Sequence, residues 1–169
     1  LPYLTGYAGG PPVGLGGFYP DFMVGVAMAF SIMAALRHRD RTGEGQHVEF
    51  AMAETVAAMI PDALLDYTMN GREAMRRGNR HPAMAPHGVY RCQGDDQWVS
   101  IAVTDDEAWR ALRSVLGDPQ WARDPELDRV EGRLARHDEI DARVSEWTGA
   151  RTHYDVMHRL QAAGVAAAA

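Results

Sequence analysis

The segment from Pro20 to Gln46 constrains the fold of this chain more than any other. From Phe22 to Leu36 every residue except Ser31 is apolar or glycine, whereas the flanking residues are acidic before the run and rich in arginine after it. This pattern predicts a helix from about Asp21 that is buried inside protein and stopped by a glycine turn. Its terminal charges complement the helix dipole. Because aspartate is a preferred N-cap residue, Asp21 is first interpreted as a helix cap.

Composition excludes several classes of function. The apolar run from Phe22 to Leu36 is shorter than the roughly 20 residues that cross a bilayer, so we expect no membrane partner. The net charge of −6 does not indicate the basic composition that is typical of proteins that bind nucleic acid. All 17 basic residues are arginines, which excludes a Schiff-base lysine within this sequence. Cys92 is the single cysteine, so an internal disulfide is impossible and a reducing, cytoplasmic location is expected.

The order of predicted elements indicates an α/β chain. A first helix is followed by a short alternating strand, a second helix that Pro61 should kink or divide, and an arginine-rich loop. An antiparallel hairpin and three further helices come next, and a strand is expected after Gly164. The predicted ranges are 21–39, 46–52 and 54–69, a loop over 71–87, hairpin strands at 88–92 and 97–103, and helices beginning near 104, 139 and 152.

Local chemistry leaves the role of Asp21 open. A helix N-terminus stabilises a carboxylate anion, and the glycine-rich approach GLGGFYP at 14–20 could bring backbone N–H groups to a developing oxyanion. An ionised carboxylate in that setting can attack an activated acyl group. His81 and His87 are separated by prolines without a metal-ligand pattern, so no metal site is predicted. The sequence has no G-x-S-x-G motif for a serine hydrolase.

The ordered combination of motifs resembles the family III CoA-transferases. This is the group that includes carnitine and bile-acid CoA-transferases, formyl-CoA transferase and α-methylacyl-CoA racemase. The resemblance is carried by Asp21 with its small-residue helix, AALRHRDRTGEGQ at 34–46, the segment ending at Met52, GN at 78–79, APHGVY at 85–90, DDQWVSIA at 95–102 and LQAAGV at 160–165. It covers nearly the whole chain, which would be the middle part of a full-length member.

The resemblance implies a fold, a reaction and a set of site residues. Residues 1–70 would belong to a large Rossmann-like domain and its connection, and 71–169 to a small α/β domain that is incomplete at its C-terminus. Two full-length chains would interlock as a homodimer. Asp21 matches the catalytic aspartate, which forms a mixed anhydride with an acyl-CoA donor and then an aspartyl-CoA thioester. A carboxylic acid is the acceptor, coenzyme A and acyl-CoA are substrates, and neither a metal nor a covalently bound cofactor is implied.

The same resemblance assigns roles to other positions. Met52 matches a residue that lines the CoA site, and a loop over the aspartate matches residues 78–88. The loop residues singled out are Gly78, Asn79, Pro86, His87 and Gly88.

Two alternatives stay open from the sequence. The first is a racemase of the same superfamily, which would remove and return the α-proton of an acyl-CoA. Its histidine would lie upstream of this sequence, and the start of the helix after Val103 fits a transferase better. The second is a non-catalytic folding and dimerisation unit. The loop GNRHPAMAPHG lacks the glycine run of the formyl-CoA transferases, so oxalate and formate are not indicated as substrates.

Overall fold

The computed structural model describes residues 3–14, 16 and 19–169. The chain divides into two compact units, Leu1–Gly78 and Asn79–Ala169. Within its described residues, the first unit contains the helices α1 (Tyr19–Thr42), α2 (Met52–Ala57) and α3 (Pro61–Asn70). The second contains a three-stranded sheet with helices packed against it.

Helix α1 begins two residues before Asp21, so the prediction that Asp21 caps the helix is wrong. The carboxylate lies in the first turn instead, where the helix dipole still favours a negative charge. Helix α1 packs against α2. The burial predicted for α1 is not found in the described part of the chain, since Val24 is its one buried residue there.

By length and composition alone, α1 could cross a membrane. Its most apolar 18-residue window has a mean hydropathy of 1.5, and 6% of that window is buried. Helix α1 is longer than the apolar run from Phe22 to Leu36 because it also includes residues 19–21 and 37–42. Core helices of soluble proteins have the same composition, so one such helix is weak evidence for a membrane span.

The region from Thr42 to Gly71 departs from one prediction and confirms another. No strand forms over 46–52: the described residues there have no paired partner, and Met52 is the first residue of α2. Alternation of apolar and polar residues cannot make a strand without a neighbour to bond. The predicted division of the next helix at Pro61 is confirmed, because α3 begins at that proline. Gly71 ends α3 in the left-handed conformation.

The predicted hairpin forms the sheet of the second unit. Strands β1 (His87–Arg91) and β2 (Trp98–Ala102) are antiparallel, with Tyr90 opposite Val99. Strand β3 (Ala166–Ala168) joins the other edge of β2, also antiparallel. The helices are α4 (Asp106–Val115), α5 (Val130–Ala135), α6 (His137–Gly149) and α7 (His153–Ala162), with short 3-10 helices at Gln120–Arg123 and Pro125–Asp128.

One face of this sheet forms the core of the second unit. Alternate residues of the strands point to opposite faces, so Tyr90, Val99 and Ile101 are buried while Val89 and Trp98 are exposed. The buried face packs with the apolar sides of the helices. The fully buried side chains from those helices include Trp109, Leu112, Ile140, Val144, Val156 and Leu160.

The N-cap of α4 is Asp105 and not Thr104, which the sequence pattern favoured. The Asp105 carboxylate accepts the backbone N–H of Ala108 at 2.8 Å, and the Thr104 hydroxyl donates to the same carboxylate. The Ala108 hydrogen bond, followed by that from Thr104, lowers the pKa of Asp105. Thr152 caps α7 as predicted and accepts the N–H of Asp155.

This cap gives a first prediction. We expect Asp105→Ala to lower the melting temperature of the second unit more than Thr104→Ala does, because the aspartate holds the otherwise unpaired N–H. The lowered pKa means that this stabilisation is present above about pH 4 and is lost as the pH falls through the folded-state value. Thermal unfolding of both variants at neutral and acidic pH checks this. Equal melting temperatures of the two variants would contradict the assignment.

Candidate functional site

Asp21 is positioned by the first turn of α1 and its side chain is exposed. Among residues 3–14, 16 and 19–169, no hydrogen bond or ion pair engages this carboxylate. An unpaired carboxylate keeps its lone pairs available for a nucleophilic attack. The predicted glycine-rich approach lies partly outside the described residues, at Leu15, Gly17 and Phe18.

Met52 and Gly78 belong to the same unit as Asp21. Met52 begins α2, which packs against α1, and its side chain is 46% exposed. Gly78 donates its N–H to the carbonyl of Gly6 at 2.8 Å and has φ of 61°. A Cβ at Gly78 would lie 2.6 Å from the ring of Tyr7. Glycine is therefore required at this position by both backbone conformation and space.

The other predicted loop residues lie in the second unit, in a stretch that we call the 79–88 segment (Asn79 to Gly88). The His87 ring closes this segment on itself, since its Nδ1 lies 2.6 Å from the carbonyl oxygen of Asn79. A carbonyl only accepts, so Nδ1 carries the hydrogen. In a neutral His87, Nε2 is then the atom that can accept a proton.

Hydrogen bonds from the body of the second unit hold the backbone of the 79–88 segment. Pro86 is buried, and its carbonyl accepts the N–H of Val103 at 2.9 Å. Arg133 donates from Nε to the carbonyl of Ala85 at 2.8 Å. Gly88 lies beneath the ring of Tyr90, where a Cβ would approach that ring to 3.1 Å. The backbone of the predicted loop is therefore held in place by hydrogen bonds to the rest of the second unit.

A polar cluster on α6 completes this bracing. The Tyr90 hydroxyl donates to Asp141 Oδ1 at 2.7 Å, and Arg80 donates to Asp141 Oδ2 at the same distance. Arg80 also pairs with Asp138. His137 is 6% exposed, and its Nε2 accepts the backbone N–H of His87 at 3.3 Å. Burial, with a smaller contribution from Asp141, raises the pKa of Tyr90.

Sequence reasoning missed this cluster and the buried Arg133. His137 and Asp141 stand four residues apart, the spacing of neighbours on one helix face, and that was the available signal. Nothing local distinguishes Arg133 or Arg80 from the other arginines of a chain in which every basic residue is arginine. Their roles depend on contacts across more than 40 positions of sequence.

The described residues contain no group of three or more His, Cys, Asp or Glu side chains that could hold a metal ion. The ring centroids of His81 and His87 are 5.6 Å apart. His81 already accepts the N–H of Ala83 through Nδ1.

Comparison with known proteins gives a consistent set of relatives. The family model described as CoA-transferase family III matches residues 1–169. The chain is 42% identical over 152 residues to "Probable CoA-transferase Rv1866" of Mycobacterium tuberculosis, covering 88% of this chain and 18% of the relative. It is 35% identical over 159 residues to the acetyl-CoA:oxalate CoA-transferase of Acetobacter aceti, covering 92% of this chain and 40% of that enzyme.

A solved structure matches the fold of the whole chain. The CaiB/BaiF family protein from Brucella suis superposes with a TM-score of 0.87 at 27% identity, covering 99% of this chain and 44% of that protein. The chain therefore spans less than half the length of these relatives.

Proposed function

This chain belongs to CoA-transferase family III, and we propose that it is the part of such an enzyme that carries the nucleophile, Asp21. The reaction would move coenzyme A from an acyl-CoA donor to a carboxylic acid acceptor. The observation that carries this proposal is an exposed aspartate, without a partner among the described residues, in the first turn of α1.

The proposed reaction conserves the energy of the thioester. The Asp21 carboxylate attacks the donor thioester carbonyl, and CoA leaves as a thiolate while a mixed anhydride forms. The thiolate then attacks the aspartyl carbonyl, which releases the donor acid and leaves an aspartyl-CoA thioester. The acceptor carboxylate displaces CoA from this thioester to form a second anhydride. The thiolate attacks the acceptor acyl group of that anhydride, which yields the new acyl-CoA and regenerates Asp21.

The physical setting of Asp21 supports the first step. Among the described residues, no cation or hydrogen-bond donor is bound to this carboxylate, so no such contact has to break when it attacks. The positive end of the helix dipole favours negative charge that develops near the first turn during the reaction. We further propose that Met52 lines the CoA site and that residues 78–88 form the active-site loop, as the family resemblance implies.

The same resemblance supports the wider assignments. In the full-length protein, residues 1–70 would belong to a Rossmann-like domain, 71–169 to a small domain, and two chains would interlock as a cytoplasmic homodimer. The acceptor acid is not fixed by the relatives. One of them is named for oxalate. The loop GNRHPAMAPHG of this chain nevertheless lacks the glycine run of the formyl-CoA transferases.

The reaction class can be tested with deuterium. We expect full-length protein, given an acyl-CoA donor in D2O, to form a new acyl-CoA only when a carboxylic acid is added, and to leave the α-carbon of the donor unlabelled. A transferase makes and breaks bonds at the carbonyl, whereas a racemase exchanges the α-proton. Mass spectrometry of the CoA esters reads both outcomes, with a panel of mono- and dicarboxylic acids that includes oxalate.

Two results would contradict the proposal. Deuterium at the α-carbon without any acceptor acid would favour the racemase alternative. Absence of transfer with every acid, together with dimer formation in light scattering, would favour a non-catalytic assembly unit.

A further inference from the structure

One nitrogen atom of His137 lies between two groups that cannot both use it. Its Nε2 is 3.3 Å from the backbone nitrogen of His87 and 3.5 Å from Asp141 Oδ1. A neutral imidazole with a free lone pair on Nε2 accepts the His87 N–H. A protonated imidazole has a hydrogen on Nε2, so it donates to Asp141 and cannot accept from His87.

The His87 N–H is a main attachment of the 79–88 segment to α6. Among the described residues, the other hydrogen-bonded attachment of the segment to α6 is the salt bridge of Arg80 with Asp141 and Asp138. Arginine does not lose its proton in proteins, so that attachment persists across the histidine range. The bond between His87 and His137 is therefore the one that a proton can break.

We propose that His137 is a positioning residue, which holds the 79–88 segment through the His87 N–H while it is neutral and releases that segment when a proton turns Nε2 toward Asp141. The consequence for catalysis rests on the proposed function, in which this segment is part of the active-site loop. Acid would then slow CoA transfer.

The surroundings of His137 support a neutral ring at neutral pH. Burial lowers the pKa of His137, while Asp141 opposes that shift. Because the folded-state pKa is lowered, the stabilisation is complete above the ordinary histidine value of about 6.5 and is lost as the pH falls toward the folded-state value. The charged and titratable groups that face the ring are Asp138 and Asp141 from α6, Arg80 and His87 from the 79–88 segment, and Tyr90 from β1 through Asp141.

Amide hydrogen exchange tests this directly on the full-length protein. Exchange of the peptide His81–Val89 is measured by mass spectrometry over about pH 5 to 8, with rates corrected for intrinsic pH dependence. In the unmodified protein we expect protection to fall by about fivefold toward acid, which corresponds to one ordinary hydrogen bond. His137→Gln should keep the neutral-pH protection throughout, because its amide oxygen accepts the His87 N–H and does not titrate.

Two further variants separate positioning from a merely structural role. His158→Gln is the matched control, since it makes the same substitution on the exposed side of α7 and should leave the acid response intact. Tyr90→Phe removes the hydroxyl that occupies Asp141 Oδ1. That oxygen then accepts the imidazolium hydrogen more readily, so the midpoint of the exchange response should move to higher pH.

The inference is overturned if protection in the unmodified protein does not change with pH, or if His137→Gln keeps the original acid response. The ratio kcat/KM for CoA transfer, measured in the same samples, tests the catalytic consequence separately. Loss of protection in acid without a matching loss in kcat/KM would leave the positioning role in place and contradict the proposed role of the segment in the active-site loop.

Discussion

Replacing Arg133 by methionine is expected to lower the free energy of unfolding of the second unit by about 3 kcal/mol or more. The guanidinium is fully buried and holds three groups. It donates to the carbonyl of Ala85 at 2.8 Å, to the carbonyl of Leu127 at 2.9 Å and to Asp106 Oδ1 at 2.9 Å. Methionine fills similar space but leaves both carbonyls without a donor. Each buried carbonyl without a hydrogen bond lowers the free energy of unfolding by about 1–3 kcal/mol.

The measurement is a urea titration followed by tryptophan fluorescence. All four tryptophans of this chain lie in the second unit, so the fluorescence of this chain reports on that unit. Arg159→Met is the matched control, because Arg159 is exposed and pairs with Asp155 one helical turn earlier on α7. An exposed pair of this kind contributes little. Equal losses in the two variants would show that the buried hydrogen bonds of Arg133 do not matter.

The largest effect on activity is expected for Asp21. If Asp21 is the nucleophile, Asp21→Asn in the full-length protein should lower the rate of CoA transfer by about three orders of magnitude or more. The amide is nearly isosteric but cannot form the anhydride. Asp62→Asn is the control, since Asp62 is also exposed in the first turn of a helix in the same unit.

Steady-state transfer rates and circular dichroism of both variants make this comparison. Asp62→Asn should keep the original rate, and neither change should alter the helical content. A retained rate in Asp21→Asn would remove the aspartate from the chemistry and leave it as an ordinary residue of the first turn.

Local patterns were sufficient to predict most elements of the second unit. The hairpin around Gly94, the helix begun by Thr152 and the strand after Gly164 depend on neighbouring residues, and all three are found. The strand predicted over 46–52 failed because strand formation needs a partner, which sequence periodicity does not reveal. The predicted start of α1 was two residues too late, because Asp21 was interpreted as the cap whereas the helix begins at Tyr19.

The candidate site likewise has parts that the sequence indicated and parts that depend on long-range contacts. Asp21 and the loop at 78–88 were proposed as site residues from the order of motifs and not from local physics, which favoured a plain cap at Asp21. The spacing of His137 and Asp141 indicated a shared helix face, but the partners of Arg133, His137 and Asp141 could not be predicted, since each contact joins residues far apart in sequence. Only the folded backbone brings these side chains to the segment that they hold.

The measurement that tests the central claim most directly is chemical trapping of the acyl-enzyme. Full-length protein is incubated with an acyl-CoA donor and hydroxylamine, then digested and examined by mass spectrometry. The account predicts an aspartyl hydroxamate at Asp21, formed only when the donor is present and absent from Asp21→Asn. Transfer of CoA that proceeds with no adduct at Asp21, or with an adduct on a different residue, would contradict it.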